Sequence, residues 1–514
     1  MNVKILGLSA SLRNARRGGG NHDLIAELMA LNTKDELFDY LKNQAKIHLA
    51  NFVDSGRKEG LAFDELYKNL KKLKGDKGLS NSEIALAAAL WSAKELGAEI
   101  EHLSLSEYFP EHGRVENVDE LKEKMLACDG LLLSGPVYFG DRGSLAQSVT
   151  DLIREDPELR EGMKGKVYGG IAVGAKRNGG QETTLIYQLI DMINIGFLGV
   201  GNDSETTSQY GGTGHAGDIG TMPNDVYGLD TSMGCGRRVT RIAATLQLAA
   251  GKVLQDRPHV SFWVLQDKED RAYQFVDKML TSGRFPIQGR ILRLAEQNVV
   301  RCLACDVCPT NVDMDGVYRC IIKTKTDALR NLHSDLIEGD AIIPVVYSTQ
   351  DRTGLISRYQ EFIERTRYLR RGDYVFSDTL CAPLVVEELG AGDNMQIRMM
   401  TSMLRHHTII TKPMTAYLHN GAYINEEQVW SEMDEFLAQA KRTTVGRMLT
   451  AASGAEHLKY NPVGYVLAAM KDAEDVKMKR RKEMIDNRMA RARAMVSLRL
   501  LSDDPAEAAR RAAI

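Results

Sequence analysis

The chain has 514 residues, which at about 150 residues per domain exceeds one small binding module and allows two large α/β domains. Apolar residues make up 43% of the chain, enough for real cores, and the formal net charge of −3 argues against wholesale wrapping of nucleic acid. Seven cysteines are too few for a disulfide scaffold, so we expect a reducing compartment.

The sequence also argues against a membrane protein. It contains no run of eighteen uncharged apolar residues, and its start carries neither a charged leader nor a cleavage site. We therefore expect a soluble, cytoplasmic protein with no membrane and no nucleic-acid partner. We expect it to form a homo-oligomer.

In the first half of the chain, short apolar runs alternate with segments whose sequence pattern is typical of helices. This alternation predicts a parallel, doubly wound sheet. The expected strands are Val3–Leu8, Ala98–Leu105, Asp129–Tyr138, Lys166–Val173 and Gly196–Gly201. The first expected helix starts at Ser80–Glu83 and continues through Ala85–Leu96. The others are Ser144–Arg154 and one that opens at Gly179–Glu182 and ends near Asn194. The segment Arg16–Leu79, between the first strand and the first of these helices, is predicted to be a helical insertion.

The second half of the chain shows the same sequence pattern less clearly, which predicts a second copy of the fold. Asp340–Tyr347 corresponds to Asp129–Tyr138. The presumed first strand of the second copy, His259–Leu265, runs into Gln266–Asp270, which lacks the serines and glycines of a phosphate loop. We expect that the second copy does not hold a nucleotide in the same way. After about Tyr423 the text becomes helical and amphipathic.

Polar residues follow the first strand and open the first helix after the insertion. Ser9, Ser11 and Arg13 supply hydroxyls and a guanidinium at the end of the strand, and Asn81 and Ser82 lie at the helix start. Helix amides and the helix dipole favour an anion at such a place. In the alternative interpretation, the serines only form a turn.

A second loop is expected to reach the same crevice, because ligands of doubly wound sheets lie beyond the carboxyl ends of the strands. It is formed by Pro136, Val137, Tyr138, Phe139 and Gly140. Taken together, the two loops predict a flat aromatic ligand with a phosphate tail.

Four cysteines at positions 302 to 320 give the sharpest signal in the chain. Two residues separate Cys302 from Cys305 and Cys305 from Cys308, and eleven residues separate Cys308 from Cys320. Three closely spaced thiolates favour a [4Fe-4S] cluster, although tetrahedral zinc remains an alternative.

The segment Gly212–Gly217 satisfies the nucleotide-binding pattern G-x-G-x-x-G. It follows a polar stretch and not a strand, so we predict a flexible loop there.

The motifs at Gly7–Arg13, Ser80–Ser82, Gly135–Gly140 and Gly179–Glu182 resemble the flavodoxin-like NADPH-dependent FMN reductase and iron-sulfur flavoprotein family. The resemblance covers most of residues 1 to 250. It implies that the FMN phosphate is surrounded by Ser9, Ser11, Arg13, Asn81 and Ser82. It also implies that the ribityl chain and ring are bordered by Pro136, Val137, Tyr138, Phe139, Gly140, Gly179, Gly180 and Gln181.

Two departures from the family pattern concern the insertion and the cysteines. Family members cross from the first strand to the helix in a few residues, so Gly20–Asn21 is an alternative to Ser80–Asn81 in the phosphate loop; we favour Ser80–Asn81. The family's compact cysteine run has a shorter last gap than this one. The run also lies here in the copy without a phosphate loop, which suggests flavin in the first copy and the cluster in the second.

We therefore predict an α/β chain with two tandem flavodoxin-like domains. The first spans residues 1–255 with an insertion at about 14–79, the second spans 256–422, and a helical extension spans 423–514. The expected function is an FMN-dependent oxidoreductase that exchanges electrons between FMN and a [4Fe-4S] cluster and reduces a small molecule or a redox protein. NAD(P)H or a ferredoxin-like protein is the expected donor. The alternatives are an NAD(P)H:quinone or flavin reductase with structural zinc, and a non-catalytic electron carrier.

Overall fold

The computed structural model describes residues 3–12, 24–57, 59–72, 78–110, 117–206, 208–305, 308, 316–454 and 474–500. The chain divides into two units, an N-terminal unit from Met1 to Ala244 and a C-terminal unit from Thr245 to Ile514. Each unit contains a set of parallel sheet strands, and each is described separately.

The N-terminal unit has a sheet in the order β2-β1-β3-β5, with β6 and β7 sharing the fifth position beside β5. All of these strands are parallel, and the short β4 pairs antiparallel with the end of β3. The strands are β1 (Lys4–Ser9), β2 (Glu99–Ser104), β3 (Gly130–Tyr138), β4 (Asp141–Arg142), β5 (Val167–Gly174), β6 (Leu198–Gly199) and β7 (Gly212–His215).

Helices connect these strands in the predicted alternation. Those of the sheet layer are α4 (Asn81–Glu95), α5 (Leu105–Tyr108), α6 (Val118–Ala127), α7 (Ser144–Glu155), α8 (Pro157–Gly162), α9 (Gln181–Ile195) and α10 (Val226–Leu248). Within the insertion, the described residues form α1 (Leu24–Ala30), α2 (Lys34–Phe52) and α3 (Phe63–Lys72), with a single π turn at Val53–Arg57.

Helix α4 is packed directly over β1, where the ligand loop begins. A Cβ atom placed on Gly7 of β1 would lie 2.9 Å from a methyl carbon of Leu90 of α4, so a larger residue there would require the leucine side chain to shift. Ser80 caps the helix by accepting a hydrogen bond from the Glu83 amide, and the Glu83 carboxylate accepts one from the Ser80 amide at 2.9 Å. This reciprocal cap fixes where α4 starts relative to the end of β1.

The fifth strand differs from the prediction. A single strand was expected at Gly196–Gly201, but β6 covers only two residues and the strand position is taken up again by β7. The predicted flexible loop at Gly212–Gly217 is therefore wrong in its first four residues. A Cβ atom on Gly212 would lie 3.0 Å from Ser232 of α10, so the glycine allows helix and strand to pack closely. Because glycine carries no strand signal, the sequence pattern hid this pairing.

The C-terminal unit repeats the same strand order. The first three positions of the sheet are β9, β8 and β10. Strands β12 and β13 share the fourth position beside β10, and β14 and β15 share the fifth. β11 and β16 pair antiparallel with β8 and β15. The strands are β8 (His259–Asp267), β9 (Gln288–Leu292), β10 (Ala341–Ser348), β11 (Ile356–Ser357), β12 (Leu380–Cys381), β13 (Leu384–Glu388), β14 (Ile409–Ile410), β15 (Met414–His419) and β16 (Ala422–Tyr423).

The helices of this unit follow the same alternation and continue beyond the sheet. They are α11 (Arg271–Thr281), α12 (Ala328–Asn331), α13 (His333–Ile337), α14 (Tyr359–Arg365), α15 (Arg367–Asp373), α16 (Met395–Leu404), α17 (Glu426–Ala452) and α18 (Glu474–Arg499). Both sheets have the flavodoxin-like order 2-1-3-4-5. The predicted fold class, an α/β chain with two such sheets and C-terminal helices, is confirmed. Over the ranges that the structure describes, no helix combines the length and apolar character needed to cross a bilayer.

Candidate functional site

The carboxyl ends of β1 and β3 lie side by side in the N-terminal unit. Ser9 pairs in register with Ser134, and both side chains are fully buried. The Ser134 hydroxyl donates to the backbone oxygen of Ser82 at 2.8 Å, which joins β3 to the start of α4. The Ser9 hydroxyl is buried and has no hydrogen-bond partner among the described residues. A buried polar atom of this kind fits the expected phosphate oxygen.

The other residues predicted to bind the phosphate differ in burial and in hydrogen bonding. Ser11 is buried just beyond β1, and Ser82 is buried in the first turn of α4. The Asn81 side chain binds a neighbouring loop, because its Nδ2 donates to the Asp218 oxygen at 2.9 Å and its Oδ1 accepts from the Met222 amide at 3.3 Å. Asn81 therefore holds that loop over the start of α4. Arg13 and the alternative Gly20–Asn21 lie outside the described residues.

The loop Pro136–Gly140 forms a hairpin that extends past the end of the sheet. Tyr138 pairs with Asp141 across the turn, and both Phe139 and Gly140 have positive φ, as a tight hairpin turn requires. The Phe139 side chain is 107% exposed, so no described residue covers the ring at the tip. The hairpin thus presents an uncovered aromatic ring at the edge expected to border a flavin.

The hairpin touches the second loop that the resemblance assigned to the ring. A Cβ atom on Gly180 would lie only 2.7 Å from the Gly140 Cα atom and 3.2 Å from Val137. Gly180 also has a φ of +102°, which side chains rarely adopt. The structure therefore brings together the two predicted ring-binding loops.

Gln181 has an internal role that the sequence did not reveal. Its Oε1 accepts from the Gly179 amide at 2.8 Å, and its Nε2 donates to the backbone oxygens of Lys176 at 2.8 Å and Gly214 at 3.0 Å. The side chain is buried. Gln181 therefore braces the β5–α9 loop against β7 and fixes the shape of the site.

Two arginines at this edge were not among the predicted site residues. Arg177 lies three residues after the end of β5; it donates to the Thr213 oxygen at 3.1 Å and forms an ion pair with Asp225. Arg142, at the base of the hairpin, forms an ion pair with Asp191 of α9. The available signal was the position of each arginine near the carboxyl ends of the strands. Each is paired with a carboxylate, so the two arginines tie the loops of the site together.

The corresponding place in the C-terminal unit is filled by a carboxylate. Asp267 ends β8, and its oxygens accept from the amides of Lys268 at 2.8 Å, Ala272 at 2.9 Å and Tyr273 at 3.0 Å. Burial raises the pKa of the Asp267 carboxyl, while these three amides lower it. Amides at the start of α11 that would face a phosphate are thus already bound. This gives a physical reason for expecting no nucleotide in the second copy.

Replacing Asp267 with alanine is expected to lower the free energy of unfolding by about 1–2 kcal/mol, because the α11 amides lose their acceptor. The comparison variant Asp277→Ala lies within α11, and its side chain accepts no such amide bonds from the described residues. It is expected to stay within about 0.5 kcal/mol of the wild type. Urea unfolding followed by circular dichroism measures both. Equal stability of the two variants would mean that the Asp267 bonds contribute nothing.

The four cysteines differ in exposure. Cys302 and Cys308 are partly buried, Cys305 is exposed and Cys320 is buried. Across the described ranges, no three His, Cys, Asp or Glu side chains lie close enough together to bind a metal ion. The Cys302 sulfur accepts from the Ala304 amide at 3.4 Å and lies 3.8 Å from the Arg367 guanidinium. Both contacts place a hydrogen-bond donor against the Cys302 sulfur.

A buried ion pair anchors both ends of this cysteine segment. Arg365 donates to both oxygens of Asp327, at 3.0 and 2.8 Å, and the two side chains are at most 1% exposed. Asp327 also accepts from the Val300 amide and from the Tyr318 hydroxyl, both at 3.2 Å. Val300 and Tyr318 each precede a cysteine by two residues. The pair therefore holds the two ends of the cysteine segment at one point.

We expect Asp327→Asn to lower the free energy of unfolding by about 3 kcal/mol or more, because it leaves the Arg365 charge buried without a counter-charge. In Asp335→Asn, the exposed ion pair with Arg290 is lost instead, at a cost of at most about 1 kcal/mol. Chemical denaturation of the full chain compares the two. If Asp327→Asn were no more destabilised than Asp335→Asn, the proposed anchor would be wrong.

The sheet order and the polar carboxyl edge of the N-terminal unit define a flavodoxin-like protein that binds a phosphorylated cofactor. The profile of the NADPH-dependent FMN reductase family matches residues 76–203. An iron-sulfur flavoprotein of Methanocaldococcus jannaschii is 36% identical over 182 residues, which cover 32% of this chain and 92% of that protein. The chain therefore belongs to the NADPH-dependent FMN reductase and iron-sulfur flavoprotein family, and it is an FMN-dependent oxidoreductase.

Two further proteins are similar to the chain. An iron-sulfur flavoprotein of Methanosarcina thermophila is 28% identical over 183 residues, which cover 32% of this chain and 90% of that protein. Among solved structures, a WrbA-like flavodoxin from Agrobacterium tumefaciens has a TM-score of 0.26 and 14% identity, covering 47% of this chain and 98% of that one.

Proposed function

We propose that the protein transfers electrons between FMN held by the N-terminal unit and a [4Fe-4S] cluster held by Cys302, Cys305, Cys308 and Cys320. The proposal depends above all on the cysteine segment, whose two ends are fixed by the buried Asp327–Arg365 pair. The names of the two methanogen relatives support it. When bound, FMN exchanges one or two electrons through its ring, and the cluster exchanges one at a time.

The residues of the N-terminal unit would hold FMN at both of its ends. The phosphate would be bound by Ser9, Ser11, Arg13 and the start of α4, where the buried Ser9 hydroxyl lacks a partner in the described part of the chain. The ring would lie against the hairpin Pro136–Gly140 and the Gly179–Gln181 loop. Arg142 and Arg177, each paired with a carboxylate, would keep the loops at this edge in place.

The cysteine residues would hold the cluster as thiolates. The Arg367 guanidinium, 3.8 Å from the Cys302 sulfur, would be a hydrogen-bond donor to that ligand. Asp327 would keep the two ends of the segment together when the ligands close around the metal. Reducing equivalents would come from NAD(P)H or a ferredoxin-like protein and pass to a small molecule or a redox protein.

Anaerobic purification followed by metal, sulfide and flavin analysis tests the proposal. We expect about one FMN and about four iron atoms with four sulfides per chain, as one [4Fe-4S] cluster requires. About one zinc ion without sulfide would overturn electron transfer through a cluster and support a reductase with structural zinc.

Stopped-flow reduction identifies the donor. We expect flavin absorbance to bleach on mixing with NADH, NADPH or reduced ferredoxin, and turnover to follow when a quinone is added as acceptor. If the flavin were reduced only by another protein and no small acceptor were turned over, the chain would be an electron carrier. That result would contradict the proposed enzymatic activity.

A further inference from the structure

The C-terminal unit contains a cavity that the proposed electron transfer does not use. The cavity has a volume of about 440 Å³ and opens at the amino end of the sheet, near His259 of β8 and Asp340 before β10. The last turns of α17 and one side of α18 complete its wall. Its volume falls within the range of small-molecule sites. It lies at the opposite end of this sheet from Asp267, which ends β8.

The charge in the cavity is unbalanced. Four arginines and three carboxylates line it. One arginine is neutralised, because Arg499 binds both oxygens of Asp340, at 2.9 and 2.6 Å, and also binds Asp256. The Asp340 carboxylate also accepts from the His259 amide at 2.9 Å. Its hydrogen-bonding capacity is therefore largely used by partners other than Arg447.

Arg447 of α17 is a partly buried cation without a carboxylate partner. It donates to two neutral acceptors, the Thr379 hydroxyl and the Gly339 oxygen, the latter at 3.1 Å. Within the described ranges, it forms no ion pair. Burial lowers the pKa of the guanidinium, and the more distant carboxylates of Asp340 and Asp378 offset this only in part. A negative ligand would relieve this cost.

A second unpaired guanidinium lines the same cavity from another helix. Arg491 of α18 forms neither an ion pair nor a side-chain hydrogen bond with any described residue, and its side chain is exposed. Two guanidiniums from different helices form a common way of binding a carboxylate or a phosphate.

The remaining wall is largely apolar. Buried Ile342, Phe376 and Met448 line it together with the partly buried Met495. Such a surface gains free energy when it covers apolar parts of a ligand. A cationic end and an apolar wall together fit a molecule that has an anionic group and an apolar body.

We propose that this cavity binds a small organic anion, in which a carboxylate or phosphate group is bound by Arg447 and Arg491 and an apolar body lies against Ile342, Phe376 and Met448. The site is separate from the flavin and cysteine residues, and it adds a ligand to the protein beyond its redox cofactors.

Isothermal titration calorimetry on the FMN-saturated full chain tests the proposal, because the flavin site is then filled. The probes are 1-naphthyl phosphate, 1-naphthoate and neutral 1-naphthol, which share one ring system. We expect at least one of the anions to bind at least about tenfold more tightly than 1-naphthol, since a charged hydrogen bond is lost in the neutral probe. Tighter binding of the phosphate indicates a phosphorylated ligand, and tighter binding of 1-naphthoate a carboxylate. Equal binding of all three probes, or no binding, overturns the proposal.

Variants locate the binding. Arg491→Met removes an exposed charge without breaking a bond within the described fold, and it should weaken anion binding about tenfold while leaving 1-naphthol within twofold. Arg447→Met should have at least the same effect, and Ala451→Phe should abolish binding by filling the cavity. The control Arg442→Met, on the exposed side of α17, should bind as the wild type. Retained flavin content and melting temperature confirm folding. Wild-type affinity in a folded Arg491→Met protein would contradict the assignment.

Discussion

The double variant Ser11→Ala and Arg13→Ala is expected to purify without FMN and to bind added FMN at least about 100-fold more weakly than the wild type. Each substitution removes a donor to the phosphate, and a hydrogen bond to a charged group contributes about 1.5–3 kcal/mol. The fold should remain intact, because the two substitutions remove a hydroxyl and a charged group and no apolar side chain. Flavin fluorescence titration of the apoprotein gives the affinity, and unchanged affinity would contradict the phosphate assignment.

A matched pair of serines separates binding from folding at the same edge. Ser9→Ala should weaken FMN binding by about tenfold and leave the apoprotein at least as stable, because its buried hydroxyl has no partner among the described residues. Ser134→Ala should instead lower apoprotein stability by about 1 kcal/mol, since its hydroxyl binds the Ser82 oxygen. If Ser9→Ala destabilised the apoprotein as much as Ser134→Ala does, the Ser9 hydroxyl would have a structural role only.

The variant Cys305→Ser is expected to lose nearly all iron and sulfide and to retain FMN in the normal ratio. A serine hydroxyl at neutral pH is a poor substitute for a thiolate ligand, and Cys305 is exposed, so its loss leaves no cavity in the core. Iron and sulfide assays with the visible spectrum measure the loss. Cys381→Ser, a buried cysteine outside the segment, is the control and should keep its iron.

Loss of FMN together with iron in Cys305→Ser would show that the two cofactors depend on each other. Normal iron content in this variant would remove Cys305 from the ligand set.

Most of the fold was predictable because buried parallel strands leave a strong pattern. The runs at β1, β3 and β5 are apolar, and the structure places them near the expected positions. The text around Asp340 likewise predicted β10. Strand β7 was missed because Gly212 and Gly214 carry no side chain by which a strand is recognised.

The sequence predicted where the site residues lie better than it predicted what their side chains do. Gly140 and Gly180, forty residues apart, meet as the resemblance implied. The side chains of Asn81 and Gln181, in contrast, bind backbone atoms of neighbouring loops. A sequence position gives no direction to a side chain, because that direction depends on tertiary contacts. The same holds for the Asp327–Arg365 pair, which joins positions that no local pattern relates.

The carboxylate of Asp267 has a consequence for how the two halves respond to vitamin supply. A coenzyme that binds only the native state stabilises it by mass action, so the N-terminal half should become more fragile when riboflavin is scarce. In the C-terminal half, the Asp267 carboxylate at the end of β8 accepts the amide hydrogen bonds that a phosphate would otherwise accept. Its resistance to proteolysis should therefore be the same in starved and replete cells.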